Sequence, residues 1–324
     1  MQVLITGGAG MLGRKLAQRL IQDRRIGEQE ITKLTLADIT TPKGLPKFEG
    51  AYSEHAMDMG DLGSAEKIIQ QRPDFIFHLA AVVSGEAEAD FEKGYRVNLD
   101  STRYLLEAIR AQKDYCPRVI FTSSIAVFGV PFPDPIPDTH HRTPLSCYGT
   151  QKAIGELLLA DYSRRGILQG IGLRLPTICI RPGLPNKAAS SFFSGILREP
   201  LNGKEAVLPV SDDVRHWHAS PRAAVSFFLH AATIDLELVG RDCNLTLPGL
   251  CASVKEQIEA LERAAGKDTV SLIRREQDPF IEKLVYSWPQ SFEAEKAKSL
   301  GFKAENNFDE IIRIYMEDEL DASA

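Results

Sequence analysis

No stretch of the 324-residue chain is apolar for long enough to cross a bilayer. The most apolar run, around Phe75 to Val83, falls far short of the ~20 residues that a membrane helix needs. No basic leader precedes Gln2-Val3-Leu4-Ile5, so the expectation is a protein made and kept in the cytoplasm. Positive charge is scarce too. With 38 Lys and Arg against 44 Asp and Glu, a formal net charge of -6 and no long basic run, nucleic acid and membrane surfaces are not expected partners. Cysteine is sparse and scattered: Cys116, Cys147, Cys179, Cys243 and Cys251 are odd in number and never spaced as CxxC with histidines. They imply reduced thiols, no disulfide framework and no metal site.

What the chain does have is alternation. β-rich runs (Val3-Leu4-Ile5, Leu34 to Ala37, Phe75 to Leu79, Arg118 to Thr122, Ile171 to Leu175) are separated by helical stripes such as Leu12, Leu16, Leu20 and Thr102, Leu105, Leu106, Ile109. Strand–helix alternation of this kind predicts a doubly wound α/β fold around a parallel sheet. After about Pro182 the alternation breaks into a segment rich in Pro, Asn, Ser and Gly that runs to Pro209. An apolar helix over Ala223 to Ala232, a strand at Leu245 to Leu247 and a frayed acidic tail from Glu317 are expected beyond it. The division expected is a doubly wound part over 1–180, with 214–248 returning to it, and a smaller C-terminal α/β lobe over 181–324. With no repeat or low-complexity linker visible, the two are expected to be interwoven.

The first strand runs straight into Thr6-Gly7-Gly8-Ala9-Gly10-Met11-Leu12-Gly13, a GxxGxxG spacing that opens a helix. Gly7 permits a tight turn, Gly10 lets backbone approach a pyrophosphate, and Gly13 allows close helix–strand packing, with free helix N–H groups facing the anion. Asp38 ends the second strand, where its carboxylate would accept hydrogen bonds from ribose hydroxyls and repel a 2′-phosphate, favouring NAD over NADP. Asp58-Met59 could offer a carboxylate and an amide to the adenine edge.

Tyr148 and Lys152, at i and i+4, share one face of a helix's first turns. An ammonium beside a phenol favours the phenolate, so Lys152 is expected to pull Tyr148 below its usual value. A strand ending in Thr122-Ser123-Ser124 brings a hydroxyl to the carboxyl edge of the sheet. Together Ser124, Tyr148 and Lys152 suit oxidation of an alcohol: Ser124 holds the oxygen, Tyr148 takes its proton, and Lys152 holds the tyrosine and the nicotinamide ribose.

These ordered motifs, with Phe77-His78-Leu79-Ala80-Ala81, Val97 to Ala108, Ser123 to Gly129 and Leu173 to Gly183, resemble the extended short-chain dehydrogenase/reductase (NAD-dependent epimerase/dehydratase) family over nearly the whole chain. The resemblance implies NAD as cofactor, a Rossmann domain of about seven parallel strands and a smaller C-terminal lobe that binds substrate. It also implies a catalytic set of Ser124, Tyr148 and Lys152, with adenosine contacts at Asp38, Asp58 and Met59. Leu79, Ala80 and Ala81 would flank the cofactor, Asn98 would lie near it, and Pro176 would sit beside the nicotinamide. It further implies a homodimer packed through the helices that carry Asn98 and Tyr148. Phe128 stands where many members have tyrosine, which removes a hydroxyl but no catalytic role.

Within that family, Ile125-Ala126 replaces the acidic pair of the dehydratases, which disfavours water elimination. Arg215-His216-Trp217-His218-Ala219-Ser220-Pro221-Arg222 replaces the RDFIHVDD-like diphosphate motif of the nucleotide-sugar members. Residues 171–224 are most similar to the branch that oxidises a four-carbon sugar acid, D-erythronate, at its 2-hydroxyl with NAD. A small acid needs one carboxylate clamp, and Arg215 is the first choice, its planar fork being suited to bidentate binding. Ser84, Thr177 and Asn186 would supply further hydrogen bonds, with Lys187, His216 and His218 as second-rank candidates and Arg222 expected to begin a helix and pair with an acid. A nucleotide-sugar 4-epimerase with tightly bound NAD and a non-catalytic NAD(P)-sensing module remain alternatives.

Overall fold

The computed structural model describes residues 1–183 and 190–320. Ten strands carry the architecture: β1 (Gln2–Thr6), β2 (Lys33–Asp38), β3 (Ala51–Ala56), β4 (Phe75–His78), β5 (Arg118–Ser124), β6 (Gln169–Leu175), β7 (Thr177–Ile178), β8 (Arg215–Ala219), β9 (Asn244–Thr246) and β10 (Leu250–Ser253). Seven of them form one parallel sheet in the order β9-β6-β5-β4-β1-β2-β3. The order reverses between β1 and β4, opening a crevice at the strands' carboxyl ends, where ligands bind in open α/β sheets.

Seven helices bear on the site: α1 (Met11–Asp23), α2 (Ser84–Ala89), α3 (Ser101–Arg110), α4 (Cys147–Arg164), α5 (Ser191–Leu201), α6 (Pro221–Thr233) and α7 (Pro279–Tyr286). In α1 the buried residues Gly13, Leu16, Ala17, Leu20 and Ile21 recur at the 3.6-residue period and face the sheet. α4 starts where the Ser146 side chain accepts from Gly149 N at 3.1 Å. Ser220 caps α6 and Asp278 caps α7, each followed by proline at the first helical position.

β7, β8 and β10 form a separate three-stranded sheet, while β9 joins the edge of the main sheet beside β6. α6 packs beside α1. A second apolar core joins Phe193, Ile196 and Leu197 of α5 to Val214, Ile258, Leu261, Ile311 and Ile312. The stretch 182–209, expected to be irregular from its composition, therefore contains a packed helix. Nor is the start of the acidic tail frayed: Arg222 donates to Glu317 at 2.9 Å and also pairs with Asp318, while Lys15 of α1 pairs with Glu319. Among the described residues no helix is long and apolar enough to cross a membrane.

Candidate active site

At the carboxyl edge of the main sheet, α1, α2, α4, α5 and the β7–β8 sheet enclose a cavity of about 750 Å³. One end is the glycine loop. Gly7 sits at φ +76°, and a Cβ there would lie 2.7 Å from Ala80 N; at Gly13 a Cβ would lie 2.1 Å from the Gly7 carbonyl oxygen. Only bare backbone fits, as a close pyrophosphate approach requires. Asp38 stands beside the loop, accepting from Ala9 N at 2.9 Å and from Ile39 N at 2.7 Å, which fixes its carboxylate at the end of β2. These features fit a dinucleotide.

Of the residues read from the sequence, Gly7, Gly10, Met11, Leu12, Gly13, Leu79, Ala81, Ser84, Ser124, Tyr148, Lys152, Pro176 and Thr177 line this cavity. Asp38, Asp58, Met59, Ala80, Asn98 and Arg215 do not. Asp58 instead pairs with Arg96 at 2.8 Å and accepts from Gly60 N, while the Met59 side chain packs into the core with Leu4 and Ala37. Asn98 is buried and braces the wall from behind. Its Oδ1 accepts from Val82 N at 2.8 Å and its Nδ2 donates to Gln151 Oε1 at 2.8 Å, tying the loop after β4 to the helix of Tyr148. Asn186 and Lys187 lie outside the described residues.

Ser124, Tyr148 and Lys152 come together at the cavity's centre. Ser124 Oγ accepts from Ala126 N at 3.1 Å. The Lys152 ammonium donates to the Thr122 carbonyl at 2.8 Å and lies 5.7 Å from the centre of the Tyr148 ring. Burial pulls Lys152 down to about 7, against which the nearby Glu156 carboxylate pushes it up. Enclosure of the Tyr148 phenol raises its proton affinity, and the two groups that draw it back down are the Arg181 cation and Ser124. The expected dominant effect of Lys152 on the tyrosine is thus replaced by burial and by Arg181, because Lys152 is engaged with backbone and is itself desolvated.

Behind this set, Glu156 of α4 is fully buried and receives Arg174 Nε at 2.9 Å and Arg174 Nη2 at 2.8 Å, together with Arg142 and the Ser123 hydroxyl. One carboxylate therefore ties the ends of β5 and β6 to the helix of Tyr148 and Lys152.

Arg215 is displaced from its expected role. Side chains alternate along β8, so Arg215 and Trp217 share one face and His216 and His218 the other. The guanidinium of Arg215 is about half exposed, 3.5 Å from Asp134 and 3.1 Å from Cys251 Sγ, while Trp217 donates to the Leu247 carbonyl. His216 lines the cavity; His218 is buried beside Gln257 at 3.2 Å and does not. Two other guanidiniums line the cavity: Arg181, held by Nε donation to the Ile178 carbonyl at 3.0 Å and by its backbone N–H on Ser194 Oγ, and Arg198, which donates to the Arg181 carbonyl at 2.8 Å and is neutralised by Glu199, leaving Arg181 as the one without a carboxylate partner among the described residues. Burial lowers its proton affinity, and the attraction of Cys179 and Tyr148 works the other way. The signal that could have found it is a lone cation closing the apolar run Thr177 to Ile180, just past the carboxyl end of β6. Phe280 and Leu284 of α7, with Trp288 and Pro289 after it, cover this end with apolar surface.

A family model for the NAD dependent epimerase/dehydratase family matches residues 3–228. The D-erythronate dehydrogenase of Cupriavidus necator is 47% identical over 322 residues, 98% of each chain. That of Haemophilus influenzae is 42% identical over 317 residues, covering 98% of this chain and 99% of its own. A crystal structure named a nucleoside-diphosphate-sugar epimerase, from Agrobacterium tumefaciens, superposes with a TM-score of 0.95 at 58% identity, covering 99% of this chain and 95% of that one.

Proposed function

The chain belongs to the NAD dependent epimerase/dehydratase family, and from that premise we propose that it oxidises the 2-hydroxyl of a small sugar acid, D-erythronate, to 2-dehydro-D-erythronate. The relatives named D-erythronate dehydrogenase, similar over the full chain, support the reaction. The single structural observation that carries it is Arg181, a guanidinium in the substrate end of the cavity whose charge acts on the Tyr148 phenol. A 2-hydroxy acid presents its carboxylate one carbon from the reacting hydroxyl, so an arginine beside the general base is where that carboxylate is needed.

Bound NAD supplies the hydride acceptor. Tyr148, as phenolate, takes the proton of the 2-hydroxyl as the C2–H bond breaks, leaving a ketone at C2. Ser124 donates to the reacting oxygen, Lys152 is placed to hold the nicotinamide ribose, and Arg181 draws the phenol toward its charged form and orients the acid by its carboxylate. Ser84 and Thr177 line the same cavity and offer hydroxyls to the rest of the substrate. Asp38 and the glycine loop serve the adenosine half, and Asn98 acts from behind. The cofactor part is residues 1–180 with 221–248 returning, and the remainder forms the substrate lobe. A homodimer through α3 and α4 agrees with Leu157 of α4, which is 58% exposed. Five unpaired cysteines agree with action in the cytoplasm.

A nucleotide-sugar epimerase is the second reading, favoured by the name of the Agrobacterium structure. Against it, Arg215, at the position of the diphosphate-binding arginine, faces away from the cavity. A screen of NAD reduction over sugar acids of three to six carbons, with nucleotide sugars as controls, tests the proposal. NADH accumulates with D-erythronate if it holds. Silence across the acids, with NAD retained in the native protein by mass spectrometry, supports the epimerase.

A further inference from the structure

Resting on the sugar-acid reading above, we propose that Thr177 and His216 act as one hydroxyl-recognising pair that sets substrate choice by reading a hydroxyl of the acid beyond the reacting carbon. Both line the cavity, and their side chains meet at 2.7 Å between Thr177 Oγ1 and His216 Nε2. The imidazole is 3% exposed and held flat against Phe193, with ring centres 5.1 Å apart and planes 2° from parallel. Its other nitrogen, Nδ1, is buried and has no hydrogen-bond partner among the described residues. The Pro289 carbonyl is near enough to favour a protonated ring but does not meet hydrogen-bond geometry there. A buried polar atom in this state calls for a partner, and the cavity that Thr177 and His216 line is the space next to the pair from which a ligand can supply one.

The pair's chemistry identifies that something. Desolvation holds His216 neutral, down to about 4. A neutral ring has one donor and one acceptor nitrogen, and a hydroxyl has one donor and spare acceptor capacity. If Thr177 donates to Nε2, the pair keeps an Nδ1–H donor and the threonine oxygen as acceptor. If Nε2–H donates to Thr177, the pair keeps the threonine O–H donor and Nδ1 as acceptor. Either way one donor and one acceptor remain, which complements an alcohol that must give and receive a hydrogen bond. A carboxylate only accepts, so it is better met by Arg181. The two ends of the substrate are therefore read by different groups.

The test compares kcat/KM for D-erythronate with that for D-2-hydroxybutyrate, the same four-carbon acid without hydroxyls on C3 and C4, in wild type, His216→Phe and Thr177→Val. Wild type is expected to prefer D-erythronate by about 100-fold or more, because a site built around a substrate hydroxyl rejects the analogue lacking it. Both variants narrow that preference by roughly tenfold, through loss on D-erythronate, while the analogue keeps its kcat/KM within about threefold. An unchanged preference in Thr177→Val, or equal losses on both acids, overturns the inference. Should His216→Phe fail to fold, Thr177→Val decides alone, since that position is partly accessible and loses only its hydroxyl. Oxidation of both acids at equal efficiency by wild type removes this inference and leaves the reaction standing. Oxidation of neither removes the reaction and the inference with it.

Discussion

At the scale of single residues, enclosure at the cavity's centre works on the tyrosine and the lysine in opposite directions, and Arg181 and Ser124 draw the phenol back toward its charged form. The YxxxK spacing locates the phenol and the ammonium, but spacing carries no information about enclosure, and enclosure raises the tyrosine and lowers the lysine. Oxidation needs the phenolate, so activity in that direction rises toward alkaline pH. Replacing Arg181 by methionine removes a group that draws the tyrosine down, so the ascending limb of the kcat profile, measured at saturating substrate, moves to higher pH. Tyr148→Phe removes the base altogether and is expected to cost roughly 10²–10⁴ in kcat with NAD affinity little changed, checked by steady-state rates and cofactor titration. The exchange of Arg215 for Arg181 has a similar origin. Which face a strand residue shows depends on register against β7 and β10, and a one-residue alternation put His216 inward and Arg215 outward.

Elements that pack by local pattern were legible from the sequence. The glycine loop, the period-3.6 stripe of α1 and the apolar cores of β1, β4 and β5 announce themselves because each is written in contiguous residues. α5 was hidden, its Ser-rich start and internal Pro200 reading as loop; its stability comes from burying Phe192, Phe193, Ile196 and Leu197 in the second core. Also invisible was the joint between elements made by Glu156, which depends on residues far apart in the chain. Glu156→Gln leaves Arg174 buried with its charge unbalanced, at an expected cost of about 3 kcal/mol or more. Chemical denaturation checks this as a fall in midpoint at unchanged slope. An unchanged midpoint means the joint adds nothing to stability.

For the whole molecule, burial of neutral histidines couples folding to pH. His78 is pushed down to about 3 by burial and by Lys152, His216 to about 4 mainly by burial, and His218 also well down for the same reason. Each takes up a proton more readily when unfolded, so its contribution is fully present above the unfolded value of ~6.5 and is lost as pH falls toward the folded value. Near pH ~5 the loss is about 2 kcal/mol for each of His78 and His216. Stability from urea denaturation at a series of pH values is expected to drop across this window, and a flat profile between neutral pH and the acid limit contradicts neutral burial of the rings.

The claim on which the rest depends is removal of hydride from C2 of a sugar acid, and isotope transfer tests it most directly. With D-erythronate carrying deuterium at C2, the account predicts one deuterium recovered in the reduced cofactor for each 2-dehydro-D-erythronate formed, over many turnovers. Reduced cofactor without deuterium, or deuterium retained in the organic product, would contradict it.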